Sequence, residues 1–272
     1  MPELPEVETV RIALTSQLLK RKIFKVIKKS EKLRFLIPKN IKNIENKTLE
    51  KIKRRGKYLI FYFNSNYIML FHLGMTGVFR ALKKLDYKNH DHLIFKFSKI
   101  NLIYNDVRRF GFVKIYLKNE FKKSSHLLQL GKEPFSKRFN VNYLNDLACR
   151  KKQDVKNFLM DQRNIAGLGN IYCSEILFDA GISPLKTTCN LDFDECERLV
   201  NSTKKVLRRA IRMGGTSIQN FKDPGGSLGY FKNKLKVYDR ENKNCYNCKK
   251  KCKIKKIIQS GRSTFFCDNC QK

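Results

Sequence analysis

Near the carboxyl end of the chain, Cys245-Tyr-Asn-Cys248 and Cys267-Asp-Asn-Cys270 are separated by eighteen residues. Two CxxC pairs at that distance suit four thiolates set tetrahedrally around one zinc ion, each pair forming a knuckle with a β-hairpin between them. A redox role ranks behind, because no thioredoxin-like βαβ pattern surrounds the pairs. The chain has nine cysteines, an odd number, and no export signal, so a disulfide framework is not expected. Cys149, Cys173, Cys189 and Cys196 are scattered and read as small apolar residues. Cys252 lies outside both pairs, a bystander that could still compete as a ligand.

Residues 241–272 carry nine basic side chains against two acidic, a net +7. Four thiolates around Zn²⁺ contribute about −2, which leaves the ribbon at about +5. A purely structural staple does not need that charge, whereas one lying along a phosphate backbone does. The whole chain, 272 residues with 58 Lys+Arg against 24 Asp+Glu, has a formal charge of +34. That sum points to a polyanion: DNA, RNA or an anionic membrane surface. Its abundant Lys, Asn and Ile are equally what an AT-rich genome would encode, so position has to decide. With 42% apolar residues the chain can bury a real core. It has no uncharged apolar run near the length of a membrane span, and Glu3, Glu6 and Glu8 stand where a signal peptide needs basic residues. A soluble, intracellular protein is the expectation.

A helix is predicted from Pro5 to about Lys20, with acids in its first turn and Val7, Val10, Leu14 and Leu18 on one face. Short β-rich runs follow at 22–27, 48–54, 58–63, 67–71, 92–97, 102–105 and 111–116, the pattern of an antiparallel sandwich or barrel. The pattern breaks around 131–140, which is read as the domain boundary. Helices are predicted at 153–162, 171–180 (ended by Gly181) and 192–213. Between the first two, Gly167-Leu-Gly169-Asn170 is consistent with a backbone nest that grips phosphate, Asn170 adding a donor. An ordinary helical hairpin is commoner.

The chain begins Met1-Pro2-Glu3-Leu4-Pro5-Glu6-Val7-Glu8. A small second residue normally permits loss of Met1, giving Pro2 a free secondary amine. An α-amino group titrates near about 7.7–8.0, well below lysine, so more of it is unprotonated at neutral pH. Such an amine is the nucleophile required for Schiff-base catalysis at a sugar carbon, and the adjacent Glu3 could move the proton. On these residues alone, a capped helix start without chemistry is the more economical reading.

Taken together, that amino-terminal motif, Arg55-Gly-Lys57-Tyr58, His72-Leu-Gly74-Met75-Thr-Gly77, His90-Asp91-His92, Arg108-Arg109-Phe110-Gly111, Gly167-Leu-Gly169-Asn170-Ile-Tyr172, Gly229-Tyr230-Phe231 and the terminal CxxC pairs resemble bacterial formamidopyrimidine-DNA glycosylase, collinearly from Pro2 to Cys270. The resemblance implies an α+β protein: an N-terminal antiparallel β-sandwich with an N-terminal helix, then a helix–two-turn–helix domain ending in a Cys₄ zinc ribbon. Expected boundaries are 1–130 for the catalytic domain, 131–140 for a linker, 141–235 for the helical domain and 236–272 for the zinc finger. The implied activity is base-excision repair of oxidised purines (8-oxoguanine, formamidopyrimidines) with strand cleavage by β,δ-elimination.

The resemblance also implies roles. Pro2 matches the nucleophile, Glu3 its acid/base partner, Glu6 a supporting residue, Lys57 the proton donor in β-elimination and Arg262 the zinc-finger arginine of δ-elimination. Met75, Arg108 and Phe110 match residues that fill the stack vacated by an extruded base. His72, His90, Arg108, Lys151 and Asn170 match DNA-binding positions. Cys245, Cys248, Cys267 and Cys270 are the implied ligands of one structural zinc. The implied partner is double-stranded DNA with damaged bases, bound by a cytoplasmic, nucleoid-associated bacterial monomer with no membrane contact. Val107, Lys132 and Leu228 each stand where the family commonly has proline, and residues 216–230 match the loop that covers the extruded base. An endonuclease VIII-type enzyme for oxidised pyrimidines is the sister reading, opposed by Leu4, where that branch typically has glycine. A non-catalytic damaged-DNA-binding protein on the same scaffold is opposed by intact Pro2, Glu3, Lys57 and Arg262.

Overall fold

The computed structural model describes residues 1–216, 231–248 and 252–272, which fall into two compact units. The first comprises Met1–Leu128 with the described residues of 213–232, and the second comprises Gln129–Arg212 and Asn233–Lys272. The chain thus returns to its first unit after Arg212, within the span 141–235 that the sequence assigns to the helical domain. The expected loop at 216–230, with Leu228, Gly229 and Tyr230, lies outside the described residues beyond Thr216.

In the first unit, α1 (Leu4–Leu18) opens with Pro5 in its first turn and buries Leu4, Val7, Val10, Leu14 and Leu18, the face the spacing predicts. It ends two residues early because the chain turns at Leu19 and Lys20 takes a left-handed conformation (φ 64°). Eight strands follow: β1 (Ile23–Lys28), β2 (Leu49–Arg55), β3 (Tyr58–Phe63), β4 (Tyr67–His72), β5 (Val78–Leu82), β6 (Asp91–Phe97), β7 (Ile100–Asn105) and β8 (Phe112–Leu117). They form two four-stranded antiparallel sheets, β1-β6-β7-β5 and β2-β3-β4-β8. The inner faces and α1 share one core, to which Val26, Phe61, Phe71, Phe79, Phe95 and Tyr104 contribute.

Strand β5 was not legible in the sequence. Only Phe79 is fully buried, and Arg80 breaks the apolar run while its guanidinium pairs with Asp91 at 2.7 Å. Two short helices, α2 (Lys118–Phe121) and α3 (Ser125–Leu128), were also missed. Ile60, Ile68 and Leu70, on the other face of β3 and β4, pack with Phe121 and Leu127 from these helices. That second covering explains why β3 and β4 read as continuous apolar runs.

The second unit contains α4 (Val141–Ala148), α5 (Val155–Met160), α6 (Asn170–Ala180) and α7 (Phe193–Arg212). Helix α4 had been passed over; it is two turns long, buries only Leu144 and Ala148, and is started by Asn140, whose side chain accepts from Tyr143 N–H at 2.9 Å. Helix α5 is shorter than the 153–162 pattern because Asp154 and Asp161 are extended. The ribbon strands β9 (Lys255–Gln259) and β10 (Arg262–Phe266) pair antiparallel. Phe178 of α6 shares a small core with Val237, Ile254 and Phe265, so the ribbon belongs to the same compact unit as the helices. Among the described residues, no helix is long and apolar enough to cross a membrane.

Candidate active site and nucleic-acid interface

At the head of α1, Glu3 and Glu6 are buried at 2% and 0% exposure. Glu6 accepts from Glu3 N–H at 2.9 Å on one oxygen, and from Thr216 N–H (2.8 Å) and Thr216 Oγ1–H (3.0 Å) on the other. Glu6 therefore holds the amino-terminal segment in place. Burial lowers the terminal amine below its ordinary value; Glu3 and Glu6 raise it, while Lys57 and Arg108 lower it further. The amine here is that of Met1 and stands one residue ahead of the Pro2 nitrogen.

Lys57 is 7% exposed although it occupies a two-residue turn between β2 and β3. Gly56, at φ 54°, supplies the left-handed position such a tight turn requires. The turn is braced from α1: Glu8 Oε2 accepts from Arg54 Nε at 2.8 Å, and Arg54 Nη1 donates to the Gly56 carbonyl at 3.0 Å. Burial raises the Glu8 carboxyl, but hydrogen bonds and charge from Arg11 and Arg54 outweigh it and leave it below the usual range.

His72 ends β4, stacked on Phe112 (centroids 5.5 Å apart) and near Tyr58 (4.9 Å). Burial, with the charges of Lys57, Arg34 and His126, pushes its pKa down to about 4, so at neutral pH it carries no charge. Its Nδ1 accepts from Gly74 N–H at 3.1 Å, which places the ring proton on Nε2. It can serve a phosphate as a neutral hydrogen-bond donor.

Met75 and Phe110 are 38% and 42% exposed, on loops 73–77 and 106–111, and the Arg108 guanidinium lies over the Phe110 ring at 4.6 Å. His90 is exposed at φ 67° immediately before two anchored residues. Asp91 accepts from Arg80, Lys88 N–H and Asn105, while His92 bridges Ser30 and the Asp106 carbonyl.

In the second unit, Arg262 is exposed and opens β10 directly after the turn Ser260-Gly261, both at positive φ. Three side chains from 156–170 clamp this hairpin. Lys156, fully buried, donates to Thr264 Oγ1 (2.6 Å) and the Ser263 carbonyl (3.2 Å); Asn170 Nδ2 donates to the same carbonyl at 2.9 Å; Asn157 Nδ2 donates to Ser260 Oγ at 2.9 Å. The Asn170 amide, expected to face phosphate, is thus committed to the ribbon, and its Oδ1 is buried without a protein partner. Lys151 is half-buried in the turn after α4, its N–H donating to the Ala148 carbonyl. Glu175 of α6 accepts from the N–H groups of Lys236, Val237 and Tyr238 at 2.8–2.9 Å, fixing the entry to the ribbon.

The ligand atoms of Cys245, Cys248, Cys267 and Cys270 all lie within 4.8 Å of one another, with pairs at 3.1, 3.5 and 3.8 Å. A tetrahedron with metal–sulfur bonds of about 2.3 Å has edges of about 3.8 Å, so the set can hold one metal ion. Cys252 is not part of it. What the sequence missed is the support: Arg54, Asp106, Lys156 and Glu175 lie outside the motifs, and each declares itself only through partners that the fold brings to it.

Comparison with known proteins follows the same division. Residues 1–113 match the family model described as the formamidopyrimidine-DNA glycosylase N-terminal domain, and residues 130–222 match its H2TH domain. A formamidopyrimidine-DNA glycosylase of Rickettsia felis is 43% identical over 275 residues, spanning 100% of this chain and 98% of that protein. One from Wolbachia sp. subsp. Brugia malayi is 41% identical and spans all of both. Among solved structures, the MutM (Fpg) protein of Thermus thermophilus superposes with TM-score 0.89 at 32% identity, covering 99% of this chain and 98% of that one. A Lactococcus lactis Fpg mutant in complex with Fapy-dG-containing DNA superposes with TM-score 0.93 at 34% identity over 100% of both chains.

Proposed function

The chain belongs to the formamidopyrimidine-DNA glycosylase family, and from that premise we propose that it excises oxidised purines from DNA through a Schiff base on Pro2 and then cuts the strand. The observation that carries this reading is geometric: Pro2 and Glu3 are buried at the head of α1, with Lys57 also buried and near enough to act on charge at the amino terminus, a setting that disfavours the ammonium form of an amine there. A neutral amine is a competent nucleophile where an ammonium is not.

Once Met1 is removed, the Pro2 nitrogen attacks C1′ of the extruded nucleotide, forming the N–C1′ bond as the C1′–base bond breaks, and the proton that the nitrogen carried leaves with the base. Glu3 delivers a proton to the ring oxygen as the C1′–O4′ bond opens, which leaves an iminium on Pro2. Water takes up a C2′ proton as the C3′–O bond breaks, and Lys57 donates a proton to the departing 3′ phosphate. Arg262 serves the second elimination, which expels the 5′ phosphate. Glu6 contributes by holding the backbone of Glu3, and His72 by offering Nε2–H to phosphate. Met75, Arg108 and Phe110 fill the vacated stack, while His90, Lys151 and Asn170 line the DNA contact. Cys245, Cys248, Cys267 and Cys270 hold one Zn²⁺, which cross-links the ribbon. The enzyme acts as a cytoplasmic monomer.

The test is to incubate the processed, zinc-loaded protein with a duplex carrying 8-oxoguanine opposite cytosine and add borohydride. A trapped covalent adduct is expected; its absence would sink the Schiff-base reading. A parallel duplex with an oxidised pyrimidine should react more slowly, and the reverse order would favour the sister specificity.

A further inference from the structure

The loops carrying Met75 and Phe110 converge on a residue to which no role attaches. Asp106 is fully buried at the end of β7, and its carboxylate joins both loops. Oδ1 accepts from Thr76 Oγ1–H at 2.5 Å; Oδ2 accepts from Gly111 N–H at 2.8 Å and Tyr104 O–H at 3.0 Å. Thr76, its one hydroxyl hydrogen given to Asp106, accepts on its oxygen from Arg108 N–H at 3.1 Å. The Asp106 backbone extends the connection: its N–H donates to the His90 carbonyl at 3.0 Å, and its carbonyl accepts from Arg109 N–H at 3.2 Å.

The loops are also in direct backbone contact. A Cβ on Gly74, at φ 69°, would come within 2.3 Å of Gly111 N and 2.4 Å of the Phe110 carbonyl carbon. A Cβ on Gly111 would lie 1.8 Å from the Tyr104 hydroxyl. Every group facing the carboxylate is therefore a donor held in a fixed place, and no other charged side chain contacts it among the described residues.

We propose that Asp106 is the positioning residue for base extrusion, locking Met75, Arg108 and Phe110 into one rigid wedge through Thr76 and Gly111. The inference rests on the glycosylase reading above and deepens it. Asp106 touches neither sugar nor base. Its effect is confined to substrates whose base must be driven out of a duplex, since filling the vacated stack offsets the cost of unstacking. An abasic site in a single strand makes no such demand.

Two substrates separate these roles: a duplex with 8-oxoguanine opposite cytosine, scored by base excision, and a single strand with a preformed abasic site, scored by the borohydride-trapped adduct. Thr76→Val removes the hydroxyl that relays Asp106 to Arg108; Thr76→Ser keeps it. Thr76→Val should lose at least about tenfold on the duplex while staying within about twofold on the single strand, and Thr76→Ser should match the parent protein on both. Asp106→Asn, which turns an acceptor into a donor, should follow Thr76→Val. If buried Asp106→Asn does not fold, the half-exposed Thr76 pair still decides. Equal losses on both substrates, or no loss on the duplex, would overturn the inference. If the parent protein forms no adduct with the abasic strand, the glycosylase reading itself falls; if it does and only the variants behave alike, the fault lies with the role of Asp106 alone.

Discussion

Glu6→Gln, ordinarily a mild change, should be costly here. The Glu6 carboxylate faces Glu3 N–H on one oxygen and Thr216 N–H with the Thr216 hydroxyl on the other. A backbone N–H can only donate, so a glutamine must turn its NH₂ toward one of two fixed donors. Thr216 offers a hydroxyl that can rotate and accept, so the amide should face that way, preserving the hold on Glu3 and opposing Thr216 N–H. Losing one hydrogen bond to a charged group and leaving a buried donor unmet costs about 2–3 kcal/mol. At roughly 2–4 °C per kcal/mol for a chain of this size, thermal unfolding should come roughly 4–12 °C earlier. Hydrogen exchange at the Thr216 amide should accelerate while that at Glu3 stays slow. Adduct formation with a preformed abasic strand should survive. Unchanged melting and an unchanged Thr216 amide would refute the hydrogen-bond reasoning and return Glu6 to a chemical role.

Three other outcomes follow from the same geometry. His72 has a folded pKa of about 4 against an ordinary 6.5, so its stabilising contribution is complete above about pH 6.5 and lost as pH falls through about 4. Between pH 7 and 5 urea denaturation should show about 2 kcal/mol of stability lost through this residue, and His72→Phe should lose less than the parent protein over the same interval. Lys156→Met removes both bonds to the ribbon, so the share of δ-elimination product should fall while β-elimination persists; an unchanged product ratio would disconnect Lys156 from Arg262. Cys267→Ser should drop bound zinc, measured by atomic emission, and DNA affinity together, whereas full affinity without metal would separate the ribbon fold from DNA binding.

The elements that the sequence discloses are those whose burial is one-sided and periodic. Helix α1 shows its face because Val7, Val10, Leu14 and Leu18 all point into one core. Strand β5 and helices α2 to α4 are short; β5 buries one side chain, α4 two, and α2 and α3 none fully, too few to set up a period. At the candidate site, the residues with distinctive chemistry were legible: an amino-terminal proline, a lysine in a glycine turn, paired cysteines. Their supports were not. Asp106 sits between Asn105 and Val107 like any loop aspartate, and only the folded loops reveal three donors around its carboxylate. Asn170 marks the same limit from the other side, since an amide that faces phosphate and one that donates to Ser263 look identical in sequence.

The bond between Thr216 and Glu6 spans 210 positions of chain. At a synthesis rate of about 5–20 residues per second, the ribosome completes α1 roughly 10–40 s before it delivers the partner that closes the head of that helix. Through that interval the Glu6 carboxylate lacks both bonds from Thr216, and the segment that bears Pro2 is only partly fastened. A nascent chain can therefore carry every residue of the amino-terminal motif without yet presenting them in their finished arrangement. Maturation of the reactive end waits on a residue that is made only after α7.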